Sequence, residues 1–149
     1  MLADPLRYVH NPNFVGLLLR RTNDELRELK WESMKLYPKT FAGSGNEPTW
    51  KEEDSMWVWK SGAKLWMSYL DRDEDVMRYV GQAFSWIGMD ELTQYATPFA
   101  WQFLKSRLRS SDPELQKNLC MRATTNPGGP GHQWVKKMFV DPAIPGQAF

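Results

Sequence analysis

Ala83-Phe84-Ser85-Trp86-Ile87-Gly88-Met89-Asp90-Glu91 is an apolar run that ends abruptly on two adjacent acids. An uncharged stretch of this length predicts a strand buried on both faces, as in a parallel sheet. Acids placed directly after such a strand project from the carboxyl edge of the sheet, where ligands of open α/β sheets sit. There one carboxylate can hold Mg²⁺, directly or through water, while its neighbour orients an attacking water. The competing reading is local: Asp and Glu often begin the turn after a strand and cap the helix that follows.

Upstream, Phe14-Val15-Gly16-Leu17-Leu18-Leu19 is a second apolar run of strand length, closing on Arg20-Arg21. Thr22 and Glu25 then stand at capping-box spacing and predict a helix from Asn23 to Leu36, stopped by Pro38. Phe41 to Pro48, rich in Gly, Ser and Asn, reads as a loop. Met56–Trp59 and Ala63–Tyr69, joined by Lys60-Ser61-Gly62, read as a β-hairpin with aromatic cross-strand partners. Asp71 to Asp75 is an acidic patch that suits the start of a short helix through Val80. A metal site is the sharper reading of those carboxylates, a solvated surface the plainer one.

Downstream, a helix is expected from Pro98 to Arg109, with proline in its first turn. Asn118–Ala123 is a further strand, closing on Thr124-Thr125-Asn126, and Gly128–Gly131 turns into a helix from His132 to Phe139. Residues 1–13 and the tail with Pro142, Pro145 and Gly146 read as connecting segments. The order of elements is α/β, and strands joined through helices imply a mostly parallel sheet. Its carboxyl edge would carry Arg20-Arg21, Asp90-Glu91 and Thr125-Asn126 together.

Composition sets outer bounds. The 149 residues suit one domain, and 42% hydrophobic with 25% charged residues marks a globular chain. A net charge of +1 argues against a dedicated DNA-coating protein, although residues 101–149 hold 7 Lys+Arg against 3 Asp+Glu. Cys120 is the only cysteine, which fits a reducing compartment. No apolar run reaches membrane-spanning length and no signal-peptide pattern is present, so a soluble, cytoplasmic protein without a membrane partner is expected.

Several segments fall in a meaningful order: Gly16–Thr22, Arg78–Phe84, Asp90-Glu91, Thr124–Pro127 and Gly131–Val135. Together they resemble the ATPase domain of the large terminase subunit of tailed double-stranded DNA phages. The resemblance spans Phe14 to Phe139 and implies a P-loop NTPase core of the ASCE/RecA-like kind, with a mostly parallel sheet, flanking helices and an inserted β-hairpin. It makes the strand ending in Asp90-Glu91 the Walker B element and the strand ending in Thr-Thr-Asn the coupling motif. Asp90 would then coordinate Mg²⁺ and Glu91 would be the catalytic carboxylate. Thr125 and Asn126 would sense the nucleotide. Arg78 would be an arginine finger reaching a neighbouring subunit's ATP, or else the partner of the acids at Asp73 to Asp75. The resemblance further implies double-stranded DNA, a portal protein, a small terminase subunit and a homo-oligomeric ring as partners, in the cytoplasm of a phage-infected host.

One departure from that family stands out. The phosphate-cradling loop, Gly-x-x-x-x-Gly-Lys-Ser/Thr, occurs nowhere in the sequence, and neither Gly43-Ser44-Gly45 nor Ser61–Lys64 substitutes for it. Residues 1–149 thus read as a partial ATPase domain lacking Walker A and the nuclease domain, inactive in ATP hydrolysis alone. Two rivals remain. One is another P-loop NTPase, such as a helicase-like translocase. The other is a non-catalytic α/β interaction module whose Trp57, Trp59 and Trp66 form a partner surface. His132 reads as a helix-start residue, and Arg20 and Arg21 are left outside the catalytic set.

Overall fold

A computed structural model describes residues 1–142. Six strands form one sheet in the order β2-β3-β4-β1-β5-β6. Strands β1 (Val15–Arg20), β4 (Lys64–Tyr69), β5 (Trp86–Met89) and β6 (Cys120–Ala123) run parallel, and β2 (Pro48–Lys51) and β3 (Met56–Trp59) add an antiparallel flank. The α/β class and the mostly parallel sheet expected from the sequence are therefore present, as is the β3–β4 hairpin.

Strand β1 owes its central place to its side chains. Leu17 and Leu19 face one layer, with Ile87, Met89, Tyr95 and Leu104. Leu18 faces the other, with Leu29, Tyr37, Trp59, Leu65 and Trp86. Every one of these is buried, so the sheet is covered on both faces, as parallel strands require. Helix α1 (Asn23–Thr40) covers the second layer; helix α2 (Phe99–Lys105) covers the first, with the 3₁₀ turn Asp73–Tyr79. Among the described residues no helix is long and apolar enough to cross a membrane.

The capping box of α1 forms as its spacing predicts. The Glu25 amide donates to Thr22 Oγ1 at 3.3 Å, and the Thr22 amide donates to Glu25 Oε2 at 3.2 Å. Pro38, by contrast, does not stop the helix, which continues to Thr40. So close to the helix end, proline removes one hydrogen bond, while neighbouring Tyr37 is fully buried between Trp57 and Trp59 and donates to the Leu2 carbonyl at 2.9 Å. Tertiary anchoring outweighs the local break.

Other boundaries shift as well. The strand expected at 83–89 begins only at Trp86, and that at 118–123 begins at Cys120. Helix α2 ends at Lys105 rather than Arg109, because Phe84 exchanges backbone bonds with Arg107 and Arg109. Strand β2 and helix α3 (Pro113–Lys117, capped by Asp112) were not expected. The last helix, α4, covers His132–Val135 and widens into a π-turn over Lys136–Val140. Residues 1–13, expected as connection, pack against the sheet: Asp4 Oδ2 accepts from Trp86 Nε1 at 2.8 Å, and Ser61 Oγ donates to the Val9 carbonyl. Of the tail, Pro145 and Gly146 lie outside the described residues.

Candidate functional site at the carboxyl edge of the sheet

Strand register brings the expected residues to one edge. Leu19 pairs with Met89 across β1 and β5, and Met89 pairs with Ala123 across β5 and β6. The residues next in sequence, Arg20, Asp90 and Thr124, therefore leave the sheet side by side. The ladder carries on past the strands: the Asp90 amide donates to Leu19 O at 2.9 Å and the Thr124 amide to Met89 O at 3.2 Å. Backbone pairing thus fixes the origin of each side chain before any side chain interacts.

Asp90 is 7% exposed and is held from both neighbouring strands. Arg20 Nη2 lies 2.6 Å from Oδ2, and the Thr124 hydroxyl donates to Oδ1. A buried carboxylate needs such partners, since an unpaired one costs several kcal/mol, roughly, to desolvate. Neither Arg20 nor Thr124 belongs to the candidate set that the sequence yields. The available signal was register: whatever follows β1 and β6 must flank whatever follows β5.

Glu91 turns away from this clamp. Its backbone is left-handed, φ 56° and ψ 51°, an uncommon state for a residue with a β-carbon. The following 3₁₀ turn, Leu92–Gln94, is tied to β6 by the Leu92 amide donating to Thr124 O at 2.9 Å. Asn126 Nδ2 donates to Glu91 Oε1 at 3.4 Å, a long contact at the exposed rim. The plain capping role considered for the acids is not what the structure uses, because neither side chain accepts a bond from the turn that follows.

Thr125 serves the same corner from below. Its hydroxyl accepts from the Thr93 amide at 3.1 Å and donates to Thr93 Oγ1 at 2.8 Å, locking the post-β6 segment to the post-β5 turn. Gly131 seats the next turn against it: a β-carbon there would lie 2.1 Å from the Tyr95 carbonyl. His132 Nδ1 accepts from the Gly128 amide at 3.1 Å and so closes the glycine-rich turn at the helix start.

The remaining residues separate from this group. Arg78 sits in the 3₁₀ turn Asp73–Tyr79, where its Nε donates to the Asp75 carbonyl at 3.0 Å and its guanidinium lies 3.8 Å from the Asp75 carboxylate. Pairing with the acidic patch is thus realised in the isolated chain. Asp73 is engaged too, by Arg21 at 3.1 Å and by the Thr97 hydroxyl, and Arg21 also lies over the Tyr95 ring. Those partners account for the acids at 73 and 75 without a metal. Trp57 and Trp59 are buried, at 2% and 1% exposure, so the hairpin does not present them as a partner surface.

The chemistry of the edge suits a hard cation held by one carboxylate. Asp90 uses two of its roughly four lone-pair positions, and the Thr124 hydroxyl supplies another oxygen beside it. Among the described residues no three acidic, histidine or cysteine side chains converge, so any such ion would need further ligands from water or a bound phosphate. No protein-family model matches the chain, and no curated protein matches it significantly.

Proposed function

We propose that this chain is part of the ATP-hydrolysing domain of a large terminase subunit, the motor that moves double-stranded DNA into a phage prohead. The observation that carries the reading is the edge itself. Asp90 and Glu91 follow a central parallel strand, and Asn126 reaches Glu91 from the strand beside it. Hydrolysis of ATP needs a carboxylate on the metal side, a second to orient water, and a polar group that reads the phosphate. The four parallel strands, with their acids on an inner strand, agree with a P-loop NTPase core.

In this reading Asp90, with the Thr124 hydroxyl beside it, holds Mg²⁺, which neutralises phosphate charge when bound. Glu91 accepts a hydrogen bond from the attacking water and aligns it in line with the scissile bond. Asn126, already in contact with Glu91, changes its partner when the γ-phosphate leaves, and Thr125 transmits that change to the Thr93 turn. Arg78 leaves Asp75 to meet the ATP of a neighbouring subunit in a ring. These 149 residues carry no phosphate loop, so hydrolysis in this reading would require one supplied from elsewhere. Among the described residues strand β6 pairs on one side only, and its other edge is where a strand leading into such a loop would add. Portal and small-subunit contacts and a cytoplasmic setting in an infected host belong to the same proposal.

A fusion that supplies an upstream phosphate-loop segment tests the motor reading. Its Mg²⁺-dependent ATP turnover should rise when double-stranded DNA is added. Mixing Arg78→Ala with Glu91→Gln subunits should restore part of the activity that each lacks, because each then supplies what the other is missing. Turnover indifferent to DNA would favour another P-loop NTPase, and no rescue in mixtures would remove Arg78 as a finger acting between subunits.

A further inference from the structure

Asp90 already has a cation beside it. The Arg20 guanidinium makes its ion pair with Asp90 through one terminal nitrogen, at 2.6 Å, rather than as a two-pronged fork. Its Nε is buried without a hydrogen-bond partner. An arginine held in this end-on way forgoes the bidentate geometry that makes such pairs strongest. Both groups are largely withdrawn from solvent, with side-chain exposures of 19% and 10%. They line a cavity of about 490 Å³, whose wall also includes Thr124 and Glu32. The cavity gives the guanidinium room to move off Asp90.

We infer that Arg20 is a built-in stand-in for the divalent cation: it occupies the metal side of Asp90 in the ligand-free chain and must yield that carboxylate when the metal arrives. The inference rests on Asp90 being the metal-side acid. A divalent cation taken up on the free lone pairs of Asp90 would stand within a few ångströms, roughly, of the guanidinium on Oδ2, and their mutual repulsion at that range makes the two compete for the carboxylate. Arg20 thereby keeps a buried acid paired in the absence of nucleotide and lowers the affinity of the empty site for free metal. It is a positioning residue, acting through Asp90 and touching no reacting atom.

The test is a Mn²⁺ titration of the unaltered chain, Arg20→Gln, Asp90→Asn and the double variant, read by the resonance signal of free Mn²⁺. Arg20→Gln should bind more tightly by on the order of tenfold, the discounted effect of removing one competing unit charge near the surface. The gain should vanish in the double variant. Equal binding by the unaltered chain and Arg20→Gln, with Asp90→Asn still weakening both, would overturn the stand-in role and leave the metal-side reading intact. Binding indifferent to Asp90 in both backgrounds would remove that reading and this inference with it. A second measurement needs no substitution: the Arg20 Nε–H resonance of the unaltered chain should shift saturably as Mg²⁺ is added. A resonance that stays fixed would equally overturn the role, including in the event that Arg20→Gln fails to fold.

Discussion

Replacing Glu91 by glycine and, separately, by alanine should invert the usual order of those two residues. Glu91 holds φ 56° and ψ 51°, inside the left-handed region. That conformation costs a residue with a β-carbon roughly 1–2 kcal/mol relative to the right-handed one. Glycine escapes the cost but brings a more disordered unfolded chain, which disfavours folding by roughly 0.4–1 kcal/mol relative to alanine. The balance leaves the glycine variant more stable than the alanine variant by up to about 1.6 kcal/mol, and by about 0.8 kcal/mol at the middle of both ranges. Both substitutions remove the carboxylate and its contact from Asn126, so their difference isolates the backbone. Urea unfolding of the two variants, compared at a common slope, measures it. An alanine variant as stable as the glycine one would refute left-handed strain at this position. If the inversion is found, an acid occupies a site that glycine would fit better, as expected where strain is tolerated for function.

Other perturbations give separate checks. Gly88→Ala would set a β-carbon 2.3 Å from Trp86 Cη2 and 2.9 Å from Met1 Sδ. Because Trp86 is buried and fixed by its bond to Asp4, the variant should lose about 1–3 kcal/mol and shift its tryptophan fluorescence; unchanged stability would contradict the packing. Thr124→Val removes the hydroxyl that donates to Asp90 and should cost about 1–2 kcal/mol in chemical unfolding, whereas a neutral result would mean Arg20 alone suffices. Acid should destabilise the fold through paired surface carboxylates. The Lys60 side chain holds Glu47 down to about 2, Lys30 lowers Glu52, Asn13 lowers Asp112, and Asn11 lowers Glu114. With folded values below unfolded ones, their contribution is present above the ordinary carboxylate range, about pH 4, and is lost as pH falls through the folded values. A melting temperature flat from pH 5 to pH 2, roughly that window, would show these pairs to be immaterial.

The sheet's centre was legible because its information is local. Leu17–Leu19 and Trp86–Met89 are continuous apolar runs, and Thr22 with Glu25 carries its cap in its own spacing. Strand β2 was hidden for the opposite reason. Its burial alternates between half-buried and exposed at an edge, and it exists through pairing Trp50 with Trp57 rather than through any apolar run. Helix α3 is five residues long, held by Asp112, whose carboxylate also accepts from Asn11 and Asn13 roughly a hundred positions away. No window along the chain contains that contact.

The site divides in the same way. Asp90 and Glu91 could be found from the run that precedes them, and Asn126 from its place after the next strand. The Arg20–Asp90–Thr124 clamp depends on β1, β5 and β6 being adjacent in that order, which the sequence suggests only as a sheet without specifying neighbours. Arg78 shows the converse. The resemblance alone makes it a finger aimed at another subunit, while its partner in the single chain is Asp75, three residues away.

Steady-state ATP turnover of the phosphate-loop fusion, measured beside its Glu91→Gln counterpart, bears most directly on the central claim. Glutamine keeps the size of the side chain and its contact with Asn126 but cannot take a proton from water. The two-carboxylate account predicts turnover in the parent and a loss of at least roughly a hundredfold in the variant, the scale of a missing general base. Equal turnover in the two proteins would contradict it.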